Sequence, residues 1–166
     1  FRKSREWGFT GSGEYYARLH DARGVHAESD RIYAQSTIGK QGWRGEGGVS
    51  TWIDRGDLER AAEMAMAWRK QAEGAGDVVD ALRARAAAAS VAAFARQPGT
   101  SADLRDLLAT TRARAKDLDA IYPPASTELQ LYAGLLAAYA GDRTLLEDAL
   151  RGMPGNTVVR DYPTVA

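Results

Sequence analysis

Alanine is spread unevenly along this chain, and that unevenness restricts the fold more than any single motif does. Of 31 alanines in 166 residues, 25 lie between positions 57 and 140. Glycine runs the other way, with 10 of 17 in residues 1–56, and all five prolines fall beyond residue 97. Alanine is the best helix former and is depleted in strands. The middle of the chain is therefore predicted to be helical. The first third is predicted to be irregular, and the stretch from Pro154 to be an extended tail.

Apolar periodicity divides the middle into helices. Leu58, Ala61, Ala62, Ala65, Trp68 and Ala72 form one stripe over residues 57–73, with Asp57 as cap and Gly74 and Gly76 as stops. Val79, Leu82, Ala86, Ala89 and Ala93 mark a helix over 78–97, begun by Asp77 and ended by Pro98-Gly99. Alanine on a packing face lets neighbouring helices approach closely. A third helix is expected over 101–119, opened by a capping box of Thr100 and Asp103. Leu104, Leu107, Leu108, Thr111, Ala115 and Leu118 face inward on it, while Arg112, Arg114 and Lys116 form a solvated face. Pro123-Pro124 breaks the pattern. Residues 126–140 and 143–152 give two more helices, the last with Leu145, Leu146, Ala149 and Leu150 inward. Only about two residues join them, so they are expected to fold back on each other. In the first third, Glu14–Ala22, His26–Ser36 and Val49–Arg55 are candidate helices, with residues 37–48 a loop or an irregular helix start.

Composition excludes several functions. Twenty-two basic and 22 acidic residues give zero formal charge, without the basic footprint of a nucleic-acid binder. The lack of cysteine removes disulfides, thiolate metal sites and thiol catalysis. No apolar run approaches the length of a membrane span; Leu131–Ala140 is among the longest. Only four of the 22 basic residues are lysine, a bias expected of a GC-rich bacterial source. The first residue is Phe1, which suggests a processed or excised chain; cytoplasmic and periplasmic or secreted locations both stay open.

Two windows resemble each other. Val49 to Ala65 and Gly134 to Ala149 each combine a helix end, a Gly-Asp turn and an amphipathic helix. The turns are Gly56-Asp57 and Gly141-Asp142. This pattern resembles the tetratricopeptide (TPR) repeat, a pair of antiparallel helices. On that resemblance Gly134 is the small residue late in the first helix, Trp52 the aromatic residue before the turn, and Ala61 the small residue early in the second helix. Departures are visible: Val49 stands where Gly134 stands, Leu146 stands where Ala61 stands, and the two turns are 85 residues apart. The resemblance implies an all-α fold of antiparallel helical hairpins, in a short TPR-like array or bundle. It divides the chain into an irregular, partly helical segment 1–48, a helical-repeat domain 49–153 and a tail 154–166. It also implies a non-catalytic scaffold that binds a protein or peptide partner in a groove.

Chemical motifs are sparse. Nucleophile-elbow, P-loop, dinucleotide-binding and His-Glu-x-x-His patterns are absent. Glu14 and Glu28 have no supporting glycosidase signal. His20, His26 and Glu28 would converge on a metal only if the chain turned back at Gly24; the reading adopted is two surface or capping histidines, with no metal and no cofactor. Aromatic residues crowd the first 52 positions, and such rings anchor binding surfaces. Trp7, Tyr15, Tyr16, His20, His26 and Trp43 are therefore the candidate ligand- or partner-binding residues. They leave open an alternative, a small helical enzyme or ligand-binding domain with its site in the first third.

Overall fold

The computed structural model describes residues 19–34, 45–151 and 153, and among them every element is helical. The all-α expectation holds there. The chain divides into two compact units, Phe1–Ala95 and Arg96–Ala166. This boundary falls inside the stretch 49–153 that the sequence treats as one domain. The tail 154–166 lies outside the described residues, as do residues 37–44 of the expected loop or irregular helix start, whose last four residues, 45–48, are helical.

In the first unit, residues 19–22 are helical and are followed by α1 (His26–Ala34), α2 (Gly45–Asp54), α3 (Leu58–Ala75) and α4 (Val78–Phe94). Helices α2, α3 and α4 pack on one another. Their shared core is made of small residues: Val49 of α2, Ala61 and Ala65 of α3, Ala87 and Val91 of α4. Trp52, Ile53, Leu58, Met64 and Trp68 close around it. Five short side chains at the centre bring helix backbones together, and larger ones at the margin exclude water. Trp68 also donates from Nε1 to Asp80 Oδ2 at 3.2 Å, which fastens α3 to α4.

Helix ends differ in detail from expectation. Gly74 lies inside α3, and the stop is Gly76, in left-handed conformation. The α4 helix ends at Phe94, with Arg96 at φ 51°, before Pro98 is reached. More than half of the circumference of α4 is buried, through Val79, Leu82, Ala84, Ala86, Ala87, Ala89, Val91 and Ala93.

The second unit holds α5 (Thr100–Ala113), α6 (Ala115–Ile121), α7 (Ala125–Tyr139) and α8 (Arg143–Arg151). Helix α7 is central and touches the other three. Leu104, Leu107, Leu118 and Leu129 are its largest fully buried neighbours and residues. The single helix expected over 101–119 is two helices, broken at Arg114 (φ −110°, ψ 11°). The break turns Leu118 into the core and brings Asp119 to the start of α7. There its carboxylate accepts from the Ser126 N–H at 2.8 Å and from the Ser126 hydroxyl at 2.7 Å. Tertiary satisfaction of the α7 N-terminus thus outweighs the helix propensity of the segment.

Two further expectations are corrected. Thr100 does not cap α5: Gly99 holds that position without a side-chain bond, and the Thr100 hydroxyl donates to the Gln97 carbonyl at 2.8 Å. Arg112 is not part of a solvated face. It donates to Gln130 Oε1 at 3.3 Å, to Asp148 Oδ2 at 3.0 Å and to the Asp148 carbonyl at 2.6 Å, tying α5 to α7 and α8.

The alanine core predicts its own sensitivity. Enlarging Ala65 to Leu, where no part of the residue is exposed, should cost about 2–3 kcal/mol through overpacking. Ala67→Leu, at an exposed position of the same helix, should change stability by less than about 0.5 kcal/mol. Urea denaturation followed by circular dichroism distinguishes the two.

Candidate functional site

In the described part of the first third, Arg55, immediately after α2, gathers Asp21 and Asp30, and of the candidate residues His26 joins this cluster through Asp21. The Arg55 side chain is only 8% exposed, and its guanidinium is shared between two carboxylates. Nε donates to Asp21 Oδ1 at 2.8 Å, and Nη2 reaches Asp21 Oδ1 at 2.6 Å and Asp30 Oδ1 at 2.7 Å. His26 Nδ1 lies 2.9 Å from the same Asp21 oxygen. Asp21 thus sits between a guanidinium and an imidazole, with its side chain 6% exposed. Trp52, one turn before Arg55, lies under two cations: Arg60 Cζ is 3.8 Å and Arg55 Cζ 4.7 Å from the ring centroid. Such stacking holds the planar guanidinium in one orientation.

Electrostatics follow from this geometry. Burial pushes the Asp21 carboxyl up, but hydrogen bonds and charge from Arg55 and His26 outweigh it, and its pKa falls below the ordinary 3.8. Burial likewise weakens the Arg55 cation, while Asp21 and Asp30 more than restore it, so its pKa is raised. The Glu28 carboxyl is lowered chiefly by its hydrogen bonds with Arg31, three residues on. His26 is therefore turned to Asp21 and Glu28 to Arg31. Among the described residues, no group of three His, Cys, Asp or Glu is placed to hold a metal ion.

Of the sequence candidates, His20 and His26 fall within described structure and flank Asp21. His20 supplies its backbone carbonyl to the N–H groups of Arg23 and Val25. Trp7, Tyr15, Tyr16 and Trp43 lie outside the described residues. In the sequence alone, no site role attaches to Asp21, Asp30 or Arg55. A cation just after a helix that ends in a Gly-Asp turn is the one local signal, and its carboxylate partners lie 25 and 34 residues earlier.

The turn residues share one geometry. At Gly56, the Gly N–H donates to Ile53 O at 2.9 Å and the Asp57 N–H to Trp52 O at 2.9 Å. At Gly141 the corresponding bonds go to Ala138 O at 3.1 Å and, from Asp142, to Ala137 O at 2.8 Å. Both glycines have positive φ, 79° and 74°. This is a Schellman motif, in which the left-handed residue closes one helix. The following aspartate opens the next: Asp57 Oδ1 accepts from the Arg60 N–H and Asp142 Oδ1 from the Leu145 N–H, each at 3.0 Å. A third copy, absent from the sequence comparison, stands at Gly76-Asp77, with bonds to Glu73 O, Ala72 O and the Asp80 N–H. Its sequence signal, Gly followed by Asp, is local and legible.

The two departures between the windows compensate each other. In the first, Val49 is large and Ala61 is small, and both belong to one buried cluster. In the second, the larger member is Leu146. A Cβ on Gly134 would stand 3.7 Å from Leu146 Cδ1 and 3.2 Å from Ala149 Cβ. The bulk has changed sides while the close approach persists.

No protein-family model, no curated protein and no solved structure matches the chain.

The geometry yields two expected outcomes. Asp21→Asn should lower stability at neutral pH by about 2 kcal/mol, the order of a hydrogen bond to a charged group. Because the folded-state pKa of Asp21 is depressed, its contribution is present above about pH 4 and is lost as pH falls through the folded value. The difference between parent and variant should therefore shrink on acidification below about pH 4, read by urea melts across pH. In the second unit, Gly134→Leu should cost about 2–3 kcal/mol by overpacking. Adding Leu146→Ala should return at least about 1 kcal/mol, measured as coupling in a double-mutant cycle.

Proposed function

We propose that the chain is a non-catalytic protein-interaction module. In this reading its helices form TPR-like antiparallel hairpins, and a protein or peptide partner binds the surface between them. The observation that carries the reading is the Gly-Asp turn, present three times with the same backbone bonds and the same aspartate cap. Repetition of one turn generates parallel-running helix faces, and such faces make elongated grooves suited to a peptide or helix. Close backbone approach at Gly134 and Ala149 adds support, since a small residue late in the first helix is what the TPR resemblance requires. Zero formal charge and the mixed surface fit a protein partner better than a nucleic acid. Among the described residues, no helix is long and apolar enough to cross a membrane.

A second reading places a ligand or catalytic site in the first third. One feature favours it: His26 is oriented by a buried aspartate while remaining half exposed, the way a general base is held. Partners in this reading are small molecules.

One experiment separates the readings. The immobilised chain is incubated with lysate of its source organism, recovered proteins are identified by mass spectrometry, and hydrogen exchange is measured on the reconstituted pair. The expected result is one stoichiometric protein that protects amides within residues 58–151 and binds the His26→Ala variant equally well. Recovery of no protein, together with a small molecule whose thermal stabilisation of the chain vanishes in His26→Ala, would replace the scaffold with the second reading.

A further inference from the structure

Among the described residues, left-handed backbone falls on five glycines and on one residue with a side chain, Arg96, at φ 51°. A Cβ makes that conformation costly, and a residue held in it is a pointer to function. The turn around Arg96 also lacks the closure of the Gly-Asp turns. At Gly56, Gly76 and Gly141 the left-handed residue and its successor both donate to carbonyls of the preceding helix. Among the described residues, the N–H groups of Arg96 and Gln97 make no such bond. All six residues from Phe94 to Gly99 are exposed, and burial resumes at Ala93 on one side and Thr100 on the other.

These are the properties of a protease substrate. An endopeptidase takes its substrate as an extended strand, bonded through the main chain, so it needs backbone that is exposed and unspent. Other cations in residues 45–150 do not offer this. Arg55 is 8% exposed, and the N–H of Gly56 after it is bonded to Ile53 O. Arg114 donates from its N–H to Thr110 O at 3.2 Å, and helix resumes at the next residue. All the rest lie within helices. Charge adds a second distinction: no acidic residue occurs between Asp80 and Asp103 to oppose an anionic pocket.

We propose that the Arg96–Gln97 peptide bond is a processing site, cut by an endopeptidase whose specificity pocket holds a carboxylate. The pocket carboxylate pairs with the Arg96 guanidinium. Water then adds across the bond. The carbon–nitrogen bond breaks, the Arg96 carbonyl carbon takes the oxygen and becomes a carboxylate, and the Gln97 nitrogen takes both hydrogens and leaves as an ammonium group. Pro98 stands one residue clear of the scissile bond. Cleavage spares the buried side chains of each unit: Val49, Ala61, Ala65, Ala87 and Val91 all precede the cut, and Leu104, Leu107, Leu118 and Leu129 all follow it. The products are two folded fragments, 1–96 and 97–166. This inference goes beyond the scaffold reading and is compatible with either function.

Trypsin acting on the folded full chain is the probe, with fragments weighed by mass spectrometry over time and helicity followed by circular dichroism. The expected first cut within residues 45–150 is Arg96–Gln97, with both products persisting and the helical signal retained. Arg96→Lys should be cut at the same bond. Arg96→Gly should melt no lower than the parent, because glycine takes left-handed backbone freely, yet this region should resist cutting at least about tenfold longer. An earlier cut at another bond within residues 45–150 overturns the proposal. So does cutting at Arg96 only after the helical signal is lost, loss of the products as fast as they form, or digestion of this region in Arg96→Gly at the parent's rate.

Discussion

Close approach between helix backbones is the condition on which both units rest. An interior built from Val49, Ala61, Ala65, Ala87 and Val91 has little volume to spare, so three helices can share it only if their axes lie near one another. Gly134 imposes the same condition on α7 and α8, where a single methyl group would already crowd Ala149. Such packing trades the large hydrophobic yield of bulky residues for many short-range contacts and backbone proximity. Leucines supply the bulk in the second unit, which combines one close-packed seam with a conventional core.

Turns hold the helices at that distance. Each Gly-Asp pair performs two operations in two residues: the glycine closes one helix with left-handed backbone, and the aspartate satisfies an orphan N–H of the next. Little backbone remains to wander, so the ends of adjacent helices are fixed relative to each other. Polar ties then secure what the turns do not reach. Arg55 gathers Asp21 and Asp30 from the segment before α2. Arg112 gathers Gln130 and Asp148 in the second unit, and Asp119 caps α7 from the preceding helix. All three bridge residues that are distant in sequence or on different helices, which is what a short turn cannot do.

Arginine proves to be the residue whose role depends most on tertiary context. Arg55, Arg60 and Arg112 are chemically alike, yet one is buried between carboxylates, one lies over an indole ring and one spans three helices. Long aliphatic stems and a planar fork suit them to all three settings. The opposite lesson comes from α7, whose composition announces burial on every side while its fold covers only one.

The positions of most helices, and the aspartate caps that open three of them, were determined by the sequence alone. Apolar spacing placed α3, α4, α7 and α8 within a few residues, and Asp57, Asp77 and Asp142 were readable as caps because capping is local chemistry within four residues. The left-handed turns were readable for the same reason, since only glycine takes that backbone freely. Three things were decided only in three dimensions. The break at Arg114 answers to Leu118 and Asp119 seeking partners on α7. The roles of Arg55 and Arg112 depend on carboxylates 25 to 36 residues away. The exposure of Leu135 and Tyr139 depends on which side of an apolar helix its neighbours happen to cover. Periodicity records that a face is apolar, but only packing determines whether that face is filled.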